Sequence, residues 1–131
     1  MKNKFLIIGS NSFSGSSMVN FLLNKKKRVI GISRSNQYHK IFLKYKSNKN
    51  IKNFKFYKID INKNLKILIN LIKKEKPNII INYAAQGMVN ESWQKPQDWY
   101  LTNFLTMTSF VEKIKKFRFI SKFIQFSTPE V

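Results

Sequence analysis

Short apolar runs and amphipathic stretches take turns along this chain. The runs Lys4 to Ile8, Arg28 to Ser33, Phe54 to Ile59, Asn78 to Tyr83 and Lys122 to Phe126 are brief and rich in Ile, Phe and Val, as fits strands buried on both faces. Between the third and fourth runs, Leu65, Leu68, Ile69 and Ile72 fall at i, i+3, i+4 and i+7, with Lys66, Asn70 and Lys73 left for solvent. That spacing predicts an amphipathic helix, closed off behind by Pro77. Phe104, Met107, Val111 and Ile114 repeat at helical spacing before the fifth run and read as core positions. Strands alternating with helices predict an α/β fold, a doubly wound parallel sheet joined by right-handed crossovers in the order 3-2-1-4-5. No repeat or Gly/Ser-rich linker interrupts the pattern, although Lys44 to Lys52 is polar enough to predict a mobile loop.

That strand order reverses between the first and fourth strands, and a crevice opens there at their carboxyl ends. Three segments converge on it: Gly9-Ser10-Asn11-Ser12-Phe13-Ser14-Gly15 after strand one, Tyr83-Ala84-Ala85 after strand four, and Ser127-Thr128 after strand five. A glycine-punctuated turn between a strand and the helix containing Met18 to Leu23 brings a dinucleotide's pyrophosphate against helix N-terminal amides. Gly9, Asn11, Ser12, Phe13 and Gly15 are therefore candidate cofactor-binding positions. A side chain at Gly9 would hinder the turn, and one at Gly15 would push the helix off the strand. Ser12 stands where the usual fingerprint has its middle glycine, small enough to admit a phosphate.

Strand two ends in Gly31-Ile32-Ser33-Arg34-Ser35, where an adenosine ribose would lie. An acid there grips the 2'-hydroxyl of NAD, whereas Ser33 and Arg34 suit the 2'-phosphate of NADP. NADP is thus favoured over NAD, the alternative being that Arg34 is one more surface cation. Asp60 and Ile61 offer the adenine a carboxylate and an apolar contact, unless Asp60 only caps the next turn.

Composition narrows the partners. The 131 residues suit a single domain. Without cysteine, and with His39 alone among histidines, no thiolate or histidine-based metal site forms. The N-terminal apolar run is too short for a signal peptide or membrane span, and a cytoplasmic protein with no membrane partner is expected. The formal charge of +19 comes from 25 Lys and Arg against 6 Asp and Glu, spread over every segment. Such dispersion argues against a specific nucleic-acid stripe, while the field still draws in anionic small molecules.

The glycine loop, Asp60-Ile61, Asn82-Tyr83-Ala84-Ala85-Gln86, Ser92 with Pro96, Asn103, and Ser127-Thr128-Pro129-Glu130-Val131 stand in the order and spacing of the extended short-chain dehydrogenase/reductases. The chain resembles the N-terminal, NAD(P)-binding Rossmann-like part of a nucleotide-sugar epimerase/dehydratase, along its whole length. The resemblance implies that Ala84, Ala85 and Asn103 join the cofactor site and that Gln86 and Ser92 face a nucleotide-sugar substrate. It assigns Ser127, Thr128 and Glu130 to catalysis. Its ending favours a 4,6-dehydratase of the GDP-mannose or dTDP-glucose type: Thr128 would bind the sugar's O4, and Glu130 would take the C5 proton that hydride loss at C4 has acidified.

Two departures matter: Pro129 replaces the acid of the dTDP-glucose enzymes, and Gly87-Met88 replaces a frequent Ser-His pair. A 4-epimerase or reductase of the same family, or a non-catalytic NADP-binding module, are the other readings. By the same resemblance the chain is truncated before the C-terminal substrate region and the catalytic Tyr-x-x-x-Lys, so that alone it would be inactive. The single match to that spacing, Tyr45 with Lys49, lies in the polar loop and reads as chance. Strand five would be left as an apolar edge prone to aggregation. Homodimerisation of the full-length protein, through helices like those at 65–74 and 101–116, is implied as well. Trp93 and Trp99 read as packing residues.

Overall fold

A computed structural model describes residues 3–87 and 93–127. Five parallel strands, β1 (Lys4–Ile8), β2 (Arg28–Ser33), β3 (Phe54–Lys58), β4 (Ile79–Asn82) and β5 (Lys122–Gln125), form one sheet in the order β3-β2-β1-β4-β5. This is the predicted topology. Three strands stop one residue short of the predicted ends, yet their hydrogen bonding runs on. Ile59 N–H donates to Ser33 O (2.9 Å), Tyr83 N–H to Ile8 O (2.8 Å) and Phe126 N–H to Asn82 O (3.1 Å).

The strand alternation decides which helices cover which face. Leu6 and Ile8 of β1 turn toward α2 (Leu65–Glu75) and α4 (Thr106–Ile114), joining Leu68, Ile72, Ile80 and Phe110 in one core. Ile7 turns the other way, onto Val19 and Leu23 of α1 (Phe13–Asn24). Burying each such side chain contributes about 1.5–3 kcal/mol, so both faces of the central strand are committed and its register is fixed.

Three expectations fail. The segment from Lys44 is anchored: two short 3₁₀ turns, Lys44–Ser47 and Ile51–Asn53, form there. Leu43 and Tyr45 are fully buried against the α1 face, the Tyr45 ring 4.7 Å from that of Phe54. Its polar residues bind inward as well, with Asn48 Nδ2 donating to Asn20 Oδ1 (2.7 Å) and Asn50 Nδ2 to Leu23 O (2.9 Å).

Phe104 is the second failure, 64% exposed where a core residue was expected. Before α4 the chain winds through α3 (Pro96–Trp99) and a π-helical turn, Tyr100–Leu105. The wider turn breaks the 3.6-residue period, so the spacing that holds for Met107 and Ile114 does not carry back to 104. Phe110 fills the core instead, Val111 is half-buried, and Trp93 is exposed at 84% and does not pack.

Candidate functional site

The chain reversal between β1 and β4 makes a crevice of about 230 Å³ at the carboxyl ends of the strands. Its walls are Gly9, Asn11 and Ser12 from the glycine loop, Ser33 at the end of β2 and Arg34 beyond it, Asp60 and Ile61 beyond β3, and Ala84 to Gln86 beyond β4. Separate segments predicted to hold a dinucleotide thus border one concavity.

The glycines are where the backbone crowds. Gly9 has φ +81°, and a Cβ there would lie 2.9 Å from Ala84 N; a Cβ on Gly15 would lie 2.2 Å from Gly9 O. Loop, helix and β4 are therefore in backbone contact, which only glycine permits. Ser12 caps α1: its Oγ accepts from Gly15 N–H (3.0 Å) and donates to Gly9 O (2.8 Å). The hydroxyl in place of the middle glycine is thus engaged within the loop, while the first-turn amides of Phe13 and Ser14 have no intrahelical acceptor. The Phe13 side chain is 88% exposed, so the contribution of this position is its backbone.

Asn11 ties the loop to the turn after β2. Its Nδ2 donates to Ser35 O (3.2 Å) and Asn36 O (2.9 Å), and its backbone N–H donates to Ser33 Oγ (3.0 Å). Ser33 is buried and holds the loop; Arg34 is exposed, on the crevice rim. Asp60 does what its structural alternative required, Oδ1 accepting from Asn62 N–H at 2.9 Å, and it also lines the crevice.

At the end of β4 a buried amide organises the wall. Asn82 Oδ1 accepts from Ala84 N–H (3.0 Å), and its Nδ2 donates to Gln125 Oε1 (2.9 Å). Asn103 Oδ1 then accepts from Gln86 N–H (2.8 Å) while its Nδ2 donates to Gln86 O (3.0 Å). Asn103 therefore shapes the crevice by clamping the Gln86 backbone and is not itself a wall residue. Its neighbour Thr102 lines the crevice and takes a hydrogen bond from Asn62 Nδ2 (2.9 Å) on the opposite wall. Thr102 and Asn62 were not predicted, because nothing in their sequence surroundings marks two segments forty residues apart as partners.

Burial pushes the Tyr83 hydroxyl above the ordinary range, and its ring stacks on Phe126 at 4.2 Å. Tyr45 is raised by burial too, opposed by a hydrogen bond from Gln37 (3.0 Å). It sits in the α1-side core, so Tyr45 and Lys49 form no catalytic pair at the crevice. Ser127 is exposed and does not border the crevice. Ser92, Thr128 and Glu130 lie outside the described residues. Among the described residues no group of three or more His, Cys, Asp or Glu converges on a metal-sized site, and no helix is long and apolar enough to cross a membrane.

The crevice suits a dinucleotide by its own features. Backbone crowding excludes a Cβ at Gly9, the first amides of α1 lack intrahelical acceptors, and two wall residues, Asn11 and Asn62, each bury an Oδ1 that has no protein donor. The family described as GDP-mannose 4,6 dehydratase matches residues 6–131. The chain belongs to this family of nucleotide-sugar epimerases and dehydratases.

Its relatives include enzymes of two different reactions. A dTDP-D-glucose 4,6-dehydratase of Dictyostelium discoideum is 34% identical, over 98% of this chain and 29% of its own length. A UDP-glucuronate 4-epimerase of Thermodesulfobacterium geofontis is 29% identical, over 97% of this chain and 40% of its own. Among solved structures, the dTDP-glucose 4,6-dehydratase of Bacillus anthracis in complex with NAD superposes with a TM-score of 0.77 at 26% identity, over 98% of this chain and 38% of that one. The chain thus spans between 29% and 40% of the length of the curated relatives it matches. The extended short-chain dehydrogenase/reductase fold holds, with the parallel order expected.

Proposed function

We propose that this chain forms the cofactor-binding part of a nucleotide-sugar 4,6-dehydratase that uses NADP. The observation carrying the proposal is the crevice at the β1/β4 switch point, where the glycine loop, the Arg34 rim and the Asp60-Ile61 wall meet. The pyrophosphate is held by the amides of Phe13 and Ser14 at the start of α1. Adenine lies against Ile61 beside Asp60, and Arg34 faces the 2'-phosphate of the ribose. The Bacillus anthracis enzyme was solved in complex with NAD, so the preference for NADP rests on Arg34 and on the absence of an acid at the end of β2.

A bound nicotinamide supplies hydride transfer at C4 and its return at C6. Thr128 orients the sugar through O4, and Glu130 removes the C5 proton and passes it to the departing C6 hydroxyl, which leaves as water. Both roles come from the family resemblance, which also puts Gln86 and Ser92 on the substrate side. A 4-epimerase needs no C5 base, so Glu130 favours the dehydratase; the epimerase is the second reading because a 4-epimerase stands among the relatives. A cytoplasmic homodimer of the full-length protein belongs to the same reading.

Calorimetric titration with NADP and NAD tests the cofactor part. NADP should bind more tightly than NAD, and Arg34→Asp should reverse that order while leaving melting unchanged. Equal affinities in the parent protein, or an order untouched by Arg34→Asp, would remove the phosphate role of Arg34. Incubation of the full-length protein with dTDP-glucose or GDP-mannose separates a 4-keto-6-deoxy product from a C4 epimer.

A further inference from the structure

A second concavity, about 340 Å³ in volume, lies at the opposite end of the same strands. Lys4 and Arg28 open β1 and β2, Lys55 is near the start of β3, and Lys52 and Asn53 precede it. Glu75, the last residue of α2, contributes the one carboxylate among the lining residues. No role in the cofactor crevice accounts for this gathering of cations.

Glu75 is already satisfied. Its Oε2 pairs with Lys4 Nζ at 2.9 Å, and its Oε1 with Lys55 Nζ at 3.2 Å and with the Tyr57 hydroxyl at 3.3 Å. Lys4 Nζ also donates to Glu75 O. The carboxylate, 9% exposed, therefore works as a strut that holds two ammonium groups at the edge of the concavity. Arg28 and Lys52 make no ion pair among the described residues. Four cations from three strand starts thus border a concavity with a single, fully engaged carboxylate. A polyvalent anion offsets the repulsion among like charges held together better than separate monovalent ions do. The volume falls in the range of small-ligand sites, and Arg28 adds a planar fork suited to phosphate oxygens.

We propose that this basal concavity is a second anion site that binds an oligophosphate, either free or as the tail of a nucleoside triphosphate. Arg28 and Lys52 make the direct phosphate contacts, and Glu75 positions Lys4 and Lys55. The proposal is independent of the dinucleotide reading, because the two concavities share no lining residue.

The test is titration of the protein with tripolyphosphate and with ATP, by calorimetry and by amide chemical-shift mapping. Shifts should gather at Val29, Asn53 and Lys55, and affinity should fall steeply with added salt. The double substitution Arg28→Ser and Lys52→Ser should weaken binding by about tenfold or more. Both residues are exposed, so folding should survive. A charge-matched control, Lys40→Ser with Lys44→Ser, should leave affinity within about twofold. Equal affinities for tripolyphosphate and ATP would identify the phosphate chain as the ligand, and tighter ATP binding a nucleotide. Equal losses in both double variants, or shifts confined to residues 9–15, would overturn the site.

Discussion

At the scale of single residues, crowding around the glycine loop sets the terms. A methyl group on Gly15 would have to occupy space 2.2 Å from Gly9 O and 2.9 Å from Ser12 Oγ. Neither atom can retreat without giving up the cap of α1 or the turn of Gly9. Gly15→Ala should lower stability by roughly 1–3 kcal/mol and abolish dinucleotide binding, as read by thermal melting and calorimetry; a variant that melts like the parent would contradict the contact. Glu75 offers a second residue-level test. Its hydrogen bond from Lys4, chiefly, holds its carboxyl below the ordinary 4.5, against the opposing effect of burial. A depressed folded value means that the stabilisation is present above the ordinary value and is lost as pH falls through the folded one. Glu75→Gln should therefore cost about 1 kcal/mol at neutral pH and flatten the stability loss below roughly pH 5, measured by urea unfolding. A parallel curve for the two proteins would show that the pair adds nothing.

At the scale of elements, the π-helical turn is the part that sequence spacing missed. Its consecutive residues Thr102 and Asn103 reach different walls of the crevice, Asn62 on one side and the Gln86 backbone on the other. The turn is therefore a brace between the proposed adenine end and the proposed substrate end. Asn103→Leu should release the Gln86 backbone and weaken cofactor binding by about tenfold or more, whereas Thr102→Ser should retain the parent affinity. Affinity unchanged in Asn103→Leu would mean that the Gln86 segment holds its place without the clamp.

The limits of sequence reading follow from the same geometry. The i, i+3, i+4 pattern located α2 because every residue from Leu65 to Glu75 obeys one period, and the glycine loop was legible because backbone crowding admits few residue types. Phe104 was misplaced because one wide turn shifts the phase of everything before it. Lys44 to Lys52 read as a loop because its polar side chains bind the backbone and side chains of α1, and only Leu43, Tyr45 and Phe54 mark the burial. The Asn62–Thr102 pair left no trace at all, since its partners come from distant segments with no shared periodicity.

At the scale of the whole molecule, the five-stranded sheet ends on β5, whose Phe123 and Ile124 are half-buried and whose neighbour Phe126 is 47% exposed. One edge of β5 pairs with β4 and none of the other described strands covers its far side. Hydrogen exchange should therefore be faster by about tenfold or more at the amides of β5 than at those of β1, which is flanked on both sides; protection equal to that of β1 would mean that another strand covers this edge. Position in the sheet also has a temporal side. β1 is synthesised before the other four described strands, yet one of its two neighbours is β4, and the cradle at Gly9 is completed only when Ala84 settles beside it. During synthesis the glycine loop therefore leaves the ribosome as a turn with one wall missing. A dinucleotide bound as proposed can stabilise the nascent chain only after residues beyond Ala84 have emerged, so any rescue of folding by added dinucleotide begins only once that length has been made.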